Sequence, residues 1–174
     1  NTEYFSQNNI SNKKIQKMIK EWNLDQDKFI ILLPGRLTNW KGQTVFIEAL
    51  NILNQQTYVK PFSAIILGSD QGRSVYYKKL LSLVEKYRLN QKIQFIPFCK
   101  EMPLAYKLAD VVVSASIEPE AFGRVSVEAQ SMEKPIVASE IGGSRETIVK
   151  NKSGLLFKSG DPISLAEQLK EILS

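Results

Sequence analysis

Short apolar runs alternate along this sequence with segments in which apolar residues recur every three or four positions. The runs are rich in Ile, Val, Leu and Phe and are bounded by Pro, Gly, Ser or Asp, which is typical of buried strands. The predicted strands are FIILLP (29–34), PFSAIILG (61–68), KIQFIPF (92–98), DVVVSAS (110–116), KPIVAS (134–139) and SGLLF (153–157).

The segments of helical periodicity predict helices before, between and after these strands. In the first one, Met18, Ile19 and Trp22 share a face and Ser11 is the expected N-cap. The last one begins with Asp161 as N-cap and Pro162 at its first position. The predicted helices are SNKKIQKMIKEW (11–22), QTVFIEALNILNQQ (43–56), residues 74–87, MPLAYKLA (102–109), RVSVEAQSM (124–132), SRETIVK (144–150) and DPISLAEQLKEIL (161–173).

Strands that are apolar on both faces and separated by helices indicate βαβ units and a parallel sheet. The predicted fold is α/β, a Rossmann-like three-layer sandwich with a mostly parallel sheet, in a single domain over residues 1–174. Such sheets bind ligands outside the carboxyl ends of their strands. The loops of interest are therefore residues 34–42, 68–74, 97–102, 116–124 and 139–144.

Composition excludes several kinds of chemistry. The 174 residues are 43% hydrophobic, enough to bury a core without disulfides or metals. The chain has no His and one Cys, Cys99, which excludes histidine-based catalysis, an internal disulfide and a Cys/His metal cluster. No apolar run reaches the roughly 20 residues of a membrane span, and no secretory signal is recognisable, so a cytoplasmic location is expected.

The formal net charge is +5. A solvated lysine surface explains this surplus, and so does attraction to an anionic small molecule or to an acidic membrane face. Nucleic acid is not expected as a partner, because the positive charges are interspersed with acids and form no basic arm.

The loop after the first strand combines glycines with basic residues. Gly35 allows a ligand to approach the backbone, Arg36 can hold a phosphate through paired hydrogen bonds, and Lys41 adds a point charge. Two exposed basic residues in a polar turn would have the same sequence. The loop is neither a Walker P-loop nor a GxGxxG turn.

The loop after the fourth strand carries acids beside a helix start. Glu118 and Glu120 precede Ala121-Phe122-Gly123, and Glu128 follows within the helix that Gly123 opens. Free amides at that start, with Arg124 beside them, favour an anion, and carboxylates accept hydrogen bonds from the vicinal hydroxyls of a sugar or ribose. Each acid taken alone is equally consistent with a solvated surface.

Two further features leave two interpretations each, and a third is structural. The Gly142-Gly143 turn is either a close approach to a ligand or a simple tight turn. Phe98, at a strand end, either lines a base pocket or belongs to the core. Gly68-Ser69-Asp70 is interpreted as a structural turn.

Together these motifs resemble glycosyltransferase family 4, whose members have the GT-B fold. The resemblance lies in GRLTNWKG (35–42), LGSDQG (67–72), EAFGRVSVEAQSMEKPIVAS (120–139), the glycines at 142 and 143, and SGLLF (153–157). Glu120 and Glu128 meet the family's E-x7-E signature. In order and spacing the resemblance extends from about Tyr4 to the end of the sequence.

The resemblance implies that this is the C-terminal, nucleotide-sugar-binding half of a GT-B enzyme, without the N-terminal acceptor domain and therefore inactive by itself. It implies that Arg36 and Lys41 hold the donor diphosphate, and that Glu120 contacts the transferred sugar. The remaining implied donor contacts are Gly35, Phe98, Ala121, Phe122, Gly123, Arg124, Val125 and Glu128, with Glu128 on the ribose.

Family members usually retain anomeric configuration and usually need no metal, so neither a metal nor another cofactor is expected. The implied acceptor is a glycan or a lipid-linked molecule, as in bacterial cell-envelope polysaccharide or lipopolysaccharide synthesis. The longer enzyme would be cytoplasmic and peripheral to the inner membrane.

The sequence departs from the family pattern at three positions. Ala121 replaces the usual Pro or Gly, which still permits close approach. Glu133 stands where glycine usually ends a helix, so that turn is expected to be strained or lengthened. Phe98 replaces the glycine that usually ends the base-pocket strand, which leaves the choice of nucleobase open.

Three other functions remain compatible with the residues. One is a sugar-nucleotide enzyme of the same fold that is not a transferase, although such enzymes often use a histidine. Another is a non-catalytic nucleotide-sugar-binding module. The third is an α/β interaction domain, which would bind no nucleotide.

Overall fold

The computed structural model describes residues 3–6, 10–149 and 152–174. Its strands are β1 (Phe29–Pro34), β2 (Phe62–Leu67), β3 (Ile93–Ile96), β4 (Val111–Ser114), β5 (Ile136–Ser139) and β6 (Leu155–Phe157). Its α-helices are α1 (Asn12–Glu21), α2 (Gln43–Asn54), α3 (Ser74–Lys86), α4 (Met102–Leu108), α5 (Arg124–Ser131), α6 (Ser144–Thr147) and α7 (Pro162–Leu173).

The strands form one sheet in the order β3-β2-β1-β4-β5-β6, and each neighbouring pair is parallel. The strand order reverses between β1 and β4, so the loops that follow these two strands leave the sheet in opposite directions. A crevice therefore opens at their carboxyl ends, where doubly wound sheets bind ligands. The predicted α/β fold with a mostly parallel sheet is confirmed.

The core lies on both faces of the sheet because successive strand residues point to opposite sides. In β1, Ile31 and Leu33 belong to the cluster under α2, α3 and α7. Ile30 and Leu32 belong to the cluster under α1, α4 and α5. This arrangement gives the three layers that the sequence predicts.

Two helix starts differ in how they are capped. The Asp161 carboxylate accepts hydrogen bonds from the amides of Ile163 (3.0 Å) and Ser164 (3.2 Å), as an N-cap should. Ser11 occupies the N-cap position of α1, but its side chain makes no capping hydrogen bond. None of the helices in the described part of the chain is long and apolar enough to cross a membrane.

Most predicted boundaries lie within two residues of the observed ones, and three differences stand out. Strand β3 ends at Ile96 rather than at Phe98, whose side chain is 73% exposed. A short 3-10 turn at Asn39–Lys41, absent from the prediction, precedes α2. Helix α6 ends at Thr147, and Lys150, the predicted end of that helix, lies outside the described residues.

Candidate functional site

A cavity of about 430 Å³ lies at the carboxyl edge of the sheet, beyond β1, β2 and β3. Its walls come from the loops after these strands, from the loop before α5, and from α4 and α5. The sequence-predicted residues on the wall are Gly35, Arg36, Lys41, Phe98, Glu120, Arg124, Val125 and Glu128. Residues from four separate loops and helices thus converge as the strand order requires.

Lys41 is the most enclosed cation of this cavity wall. Its ammonium nitrogen lies 2.7 Å from Oε1 of Glu120, and the two side chains are only 14% and 19% exposed. The Ser116 hydroxyl donates to the same carboxylate oxygen. These contacts exclude the interpretation of Lys41 and Glu120 as solvated loop residues.

The Trp40 indole lies against both cations of this loop. The Lys41 ammonium is 4.4 Å from the ring centroid, and the Arg36 guanidinium carbon is 5.9 Å from it. Attraction to the ring face restrains the two cations near each other without neutralising either one. Arg36 itself is exposed at the cavity mouth, where it can meet a ligand.

The buried side chain of Gln43 fixes the backbone of the loop that carries Arg36 and Lys41. Gln43, fully buried at the start of α2, donates from its side-chain amide to the Arg36 carbonyl at 2.8 Å. The Tyr76 hydroxyl donates to Oε1 of Gln43 at 3.1 Å, and burial raises the pKa of Tyr76 to about 12. Gly42 has φ +71°, and a Cβ atom there would lie 1.8 Å from the Ala115 carbonyl oxygen.

The Gly142-Gly143 turn supports the acidic loop. The Gly143 amide donates to the Glu120 carbonyl at 2.8 Å. A Cβ atom at Gly142 would lie 2.6 Å from that carbonyl oxygen, and one at Gly143 would lie 2.6 Å from the carbonyl carbon of Phe122. The turn packs closely against the Glu120 loop, so the geometry favours the interpretation as a tight turn over close approach to a ligand.

Helix α5 begins at the cavity after Gly123, whose φ of +63° is left-handed. The first amides of a helix have no intrahelical acceptor and carry its positive dipole end. Arg124 and Val125 lie on the cavity wall at this helix start. An anion in the cavity would therefore meet Arg36, Lys41 and the start of α5 together.

Glu128, on the second turn of α5, lies on the same wall as Glu120. Its Oε2 accepts a hydrogen bond from the hydroxyl of Tyr106, on α4, at 2.7 Å. Both carboxylates of the E-x7-E pair thus reach one cavity, and each is already held by a hydrogen-bond donor of the chain.

The loop residues between these carboxylates do not line the cavity. Ala121 and Phe122 are exposed beside it, and Gly123 is buried behind it. The donor contacts that the resemblance implies for these three residues therefore stay a prediction. Glu118 is also exposed outside it.

Several other residues that line the cavity were not predicted from the sequence as site residues. They include Trp40, Ser69, Cys99, Met102 and Tyr106. The sequence signal for Tyr106 is that a tyrosine stands on an otherwise apolar helix face. A buried hydroxyl needs a hydrogen-bond partner, so such a residue is a candidate for a polar contact. Burial raises the pKa of the Cys99 thiol, so this cysteine is a poor nucleophile at neutral pH.

Gly68 is a structural residue, as predicted, but it also reaches the cavity wall. A Cβ atom there would lie 2.0 Å from the Gly35 carbonyl oxygen. The ends of β1 and β2 can therefore approach each other only with glycine at this position.

The described residues include no cluster of three or more His, Cys, Asp or Glu that could hold a metal ion. A second cavity of about 450 Å³ lies near the amino ends of β2 and β3, at the opposite edge of the sheet. Its wall carries Lys92 and Lys28, which is paired with Asp25 at 3.1 Å, and it contains no helix start. Of these two cavities, the carboxyl-edge one brings basic side chains, two carboxylates and the start of α5 together.

Comparison with known proteins points to one family. A family model described as glycosyl transferases group 1 matches residues 14–174. A D-inositol 3-phosphate glycosyltransferase from Corynebacterium urealyticum is 33% identical over 150 residues, which are 83% of this chain and 35% of the relative. The chain therefore spans about a third of the length of the curated relatives it matches.

Comparison with solved structures points to the same family. A glycosyltransferase from Rickettsia africae superimposes with a TM-score of 0.93 at 32% identity, over 99% of this chain and 44% of that one. Anabaena HepE, solved with UDP and glucose, superimposes with a TM-score of 0.86 at 28% identity, over 98% of this chain and 44% of its own. HepE has also been solved with UDP-glucose.

Proposed function

This chain belongs to the group 1 glycosyltransferases, and on that premise we propose that it is the donor-binding domain of a retaining enzyme. The donor is a nucleotide-diphosphate sugar, and its site is the cavity at the carboxyl edge of the sheet. The observation that carries the proposal is the convergence there of Lys41, Glu120, Glu128 and the start of α5.

In this proposal each group of the site contacts a different part of the donor. Arg36, Lys41 and the α5 amides hold the diphosphate, Glu120 accepts a hydrogen bond from the transferred sugar, and Glu128 accepts one from the ribose. Negative charge grows on the diphosphate as the glycosidic bond breaks. Cations preorganised at that place stabilise the transition state more than the ground state.

Phe98, Cys99 and Met102, which follow β3 and begin α4, also line the cavity, and we assign the nucleobase to them. The complexes of HepE with UDP make uracil the first base to test. Because three positive groups meet the diphosphate, we propose that donor binding needs no metal, and chelation with EDTA should leave it unchanged.

The acceptor is assigned to a second domain of a longer protein. The chain covers 44% of the Rickettsia enzyme and 35% of the Corynebacterium relative, which leaves room for such a domain in those proteins. We propose a cytoplasmic bacterial enzyme that acts at the inner membrane on a glycan or lipid-linked acceptor of the cell envelope, such as a lipopolysaccharide precursor. By itself the domain would then bind donor without transferring sugar.

Calorimetric titration of this chain with UDP, GDP and ADP tests the donor site. We expect weak, EDTA-insensitive binding of one of them, and binding to be reduced in Lys41→Ala. An absence of heat with all three at millimolar concentration would count against the proposal and would favour an interaction domain.

Steady-state kinetics of the longer enzyme separates a catalytic from a binding role. Arg36→Ala or Lys41→Ala should lower kcat more than it raises the donor KM, and Arg36→Lys should restore only part of the rate because a point charge cannot replace the planar fork. Turnover within about two-fold of the parent in both variants would contradict a role in leaving-group stabilisation, since surface changes usually cost within roughly 0.5 kcal/mol. Nucleotide binding without any transfer would favour a non-catalytic module.

A further inference from the structure

Tyr106 places a phenol hydroxyl at the cavity wall from inside the core. Its side chain is fully buried on α4, within the cluster under α1, α4 and α5. The hydroxyl donates to Glu128 Oε2 at 2.7 Å, a separation typical of hydrogen bonds to an ionised acceptor. A phenylalanine would fill nearly the same core space, so packing alone does not require this hydroxyl.

The tyrosine ring is itself held in place. The Phe5 ring meets it edge to face, with ring centroids 5.6 Å apart and an interplanar angle of 88°. Burial and the neighbouring Glu128 carboxylate both raise the pKa of Tyr106 well above its usual value. The hydroxyl is therefore protonated throughout the physiological range and is a donor in a fixed position.

A fixed donor helps to order the flexible side chain of Glu128. It has three rotatable side-chain torsions, and ordering a glutamate side chain costs roughly 1–2 kcal/mol of conformational entropy. Among the side chains of residues 3–6, 10–149 and 152–174, Tyr106 is the one that hydrogen-bonds it. This bond uses Oε2 and leaves Oε1 for a ligand in the cavity.

From this geometry we propose that Tyr106 is a positioning residue for nucleotide recognition, which orients the Glu128 carboxylate so that its second oxygen meets a ribose hydroxyl. The proposal rests on the proposed function, because Glu128 is assigned there to the ribose. The Tyr106 hydroxyl is taken up by Glu128, so in this role Tyr106 acts on the nucleotide through that carboxylate. It acts by fixing Glu128 before the nucleotide arrives, which reduces the ordering that binding would otherwise require.

A cycle of variants and ribose analogues tests this role. UDP, 2′-deoxy-UDP and 3′-deoxy-UDP are titrated into the parent and into Tyr106→Phe, which keeps the ring and its contact with Phe5. We expect Tyr106→Phe to weaken UDP binding about 3- to 10-fold, the range of a single hydrogen bond. One of the two deoxy analogues lacks the ribose hydroxyl that Glu128 contacts. Tyr106→Phe should change the affinity for that analogue by less than about two-fold.

Tyr76→Phe is the matched control, because it also removes one enclosed hydroxyl hydrogen bond, the one to Gln43. Any effect that it has on affinity should be equal for UDP and for both analogues. In a Glu128→Ala background, Tyr106→Phe should have no further effect on UDP binding.

Equal weakening of UDP and both analogues by Tyr106→Phe would overturn the proposal, and so would unchanged UDP binding. If Tyr106→Phe does not fold, ring NMR of the parent serves instead, and the Tyr106 resonance should move with UDP and not with that deoxy analogue. A parent chain that binds none of UDP, GDP and ADP overturns the proposed function, and this inference with it. Nucleotide binding without the ribose dependence overturns the inference alone.

Discussion

At the scale of single residues, the ion pair between Lys41 and Glu120 governs how the cavity receives an anion. Both side chains are largely enclosed, so their charges are less screened than those of a surface pair. A diphosphate must share the Lys41 ammonium with this carboxylate. The pair holds Lys41 in place, and at the same time it reduces the positive potential that the diphosphate meets.

Glu120→Gln should therefore strengthen the binding of UDP, by about 1 kcal/mol or about five-fold. The sequence alone predicts that removal of Glu120 leaves the affinity for a bare nucleotide almost unchanged. The ion pair with Lys41 instead predicts a gain in affinity. Glu118→Gln, an exposed acid two residues away, is the matched control for net charge. Calorimetry that found equal gains in the two variants, or a loss in Glu120→Gln, would contradict this account.

Glu133 provides a second residue-scale prediction. It follows the end of α5 with φ +54°, a left-handed conformation that costs a residue with a side chain roughly 1–2 kcal/mol. The strain expected from a glutamate at a glycine position is thus present in the backbone.

Glu133→Gly should be more stable to unfolding than Glu133→Ala by about 1 kcal/mol, which is about 2–4 °C in Tm for a chain of this size. Both variants lose the same side-chain contacts, so their difference isolates the backbone term. Thermal unfolding followed by circular dichroism measures it. Equal midpoints would mean that the turn tolerates a Cβ atom without strain.

At the scale of elements, the Gly142-Gly143 turn determines where the Glu120 loop lies. Gly142→Ala would add a Cβ atom 2.6 Å from the Glu120 carbonyl oxygen, in a backbone with φ +54°. Gly160→Ala is a matched control, since Gly160 has φ +74° and no atom within 4 Å of the added Cβ.

Gly160→Ala adds only the conformational cost of a side chain at positive φ. Gly142→Ala adds that cost and also forces the backbone at residue 142 away from the backbone of Glu120. Urea unfolding should therefore show Gly142→Ala to be less stable than Gly160→Ala by about 2 kcal/mol, the usual cost of overpacking. Similar stabilities in the two variants would show that the loop moves aside freely and that the turn does not position it.

The order and type of these elements could be predicted from the sequence because apolar periodicity encodes burial directly. The apolar run of β1 is buried as expected, and so are Phe46, Ala49, Leu50 and Leu53, which recur at helical spacing in the segment predicted and found to be α2. The end of β3 could not be predicted in this way, since Phe98 continues the apolar run but is exposed at the cavity. Local pattern does not distinguish a core phenylalanine from one beside a ligand site.

At the scale of the whole molecule, the site is a product of topology. The sequence places Lys41 and Glu120 in separate loops, and the parallel sheet with its reversal between β1 and β4 brings them within 2.7 Å of each other. Loops at one edge of the sheet were predictable from strand direction. The partner Tyr106 was not, because its contact with Glu128 spans 22 residues and leaves no local pattern.

The central claim is that a nucleoside diphosphate occupies the carboxyl-edge cavity with its phosphates on Arg36, Lys41 and the start of α5. A crystal structure of this chain with UDP tests the claim most directly. The account predicts phosphate oxygens within hydrogen-bond distance of Lys41 and the ribose against Glu128. UDP in the cavity near the amino ends of β2 and β3, or in the carboxyl-edge cavity with its phosphates away from Lys41 and α5, would contradict it.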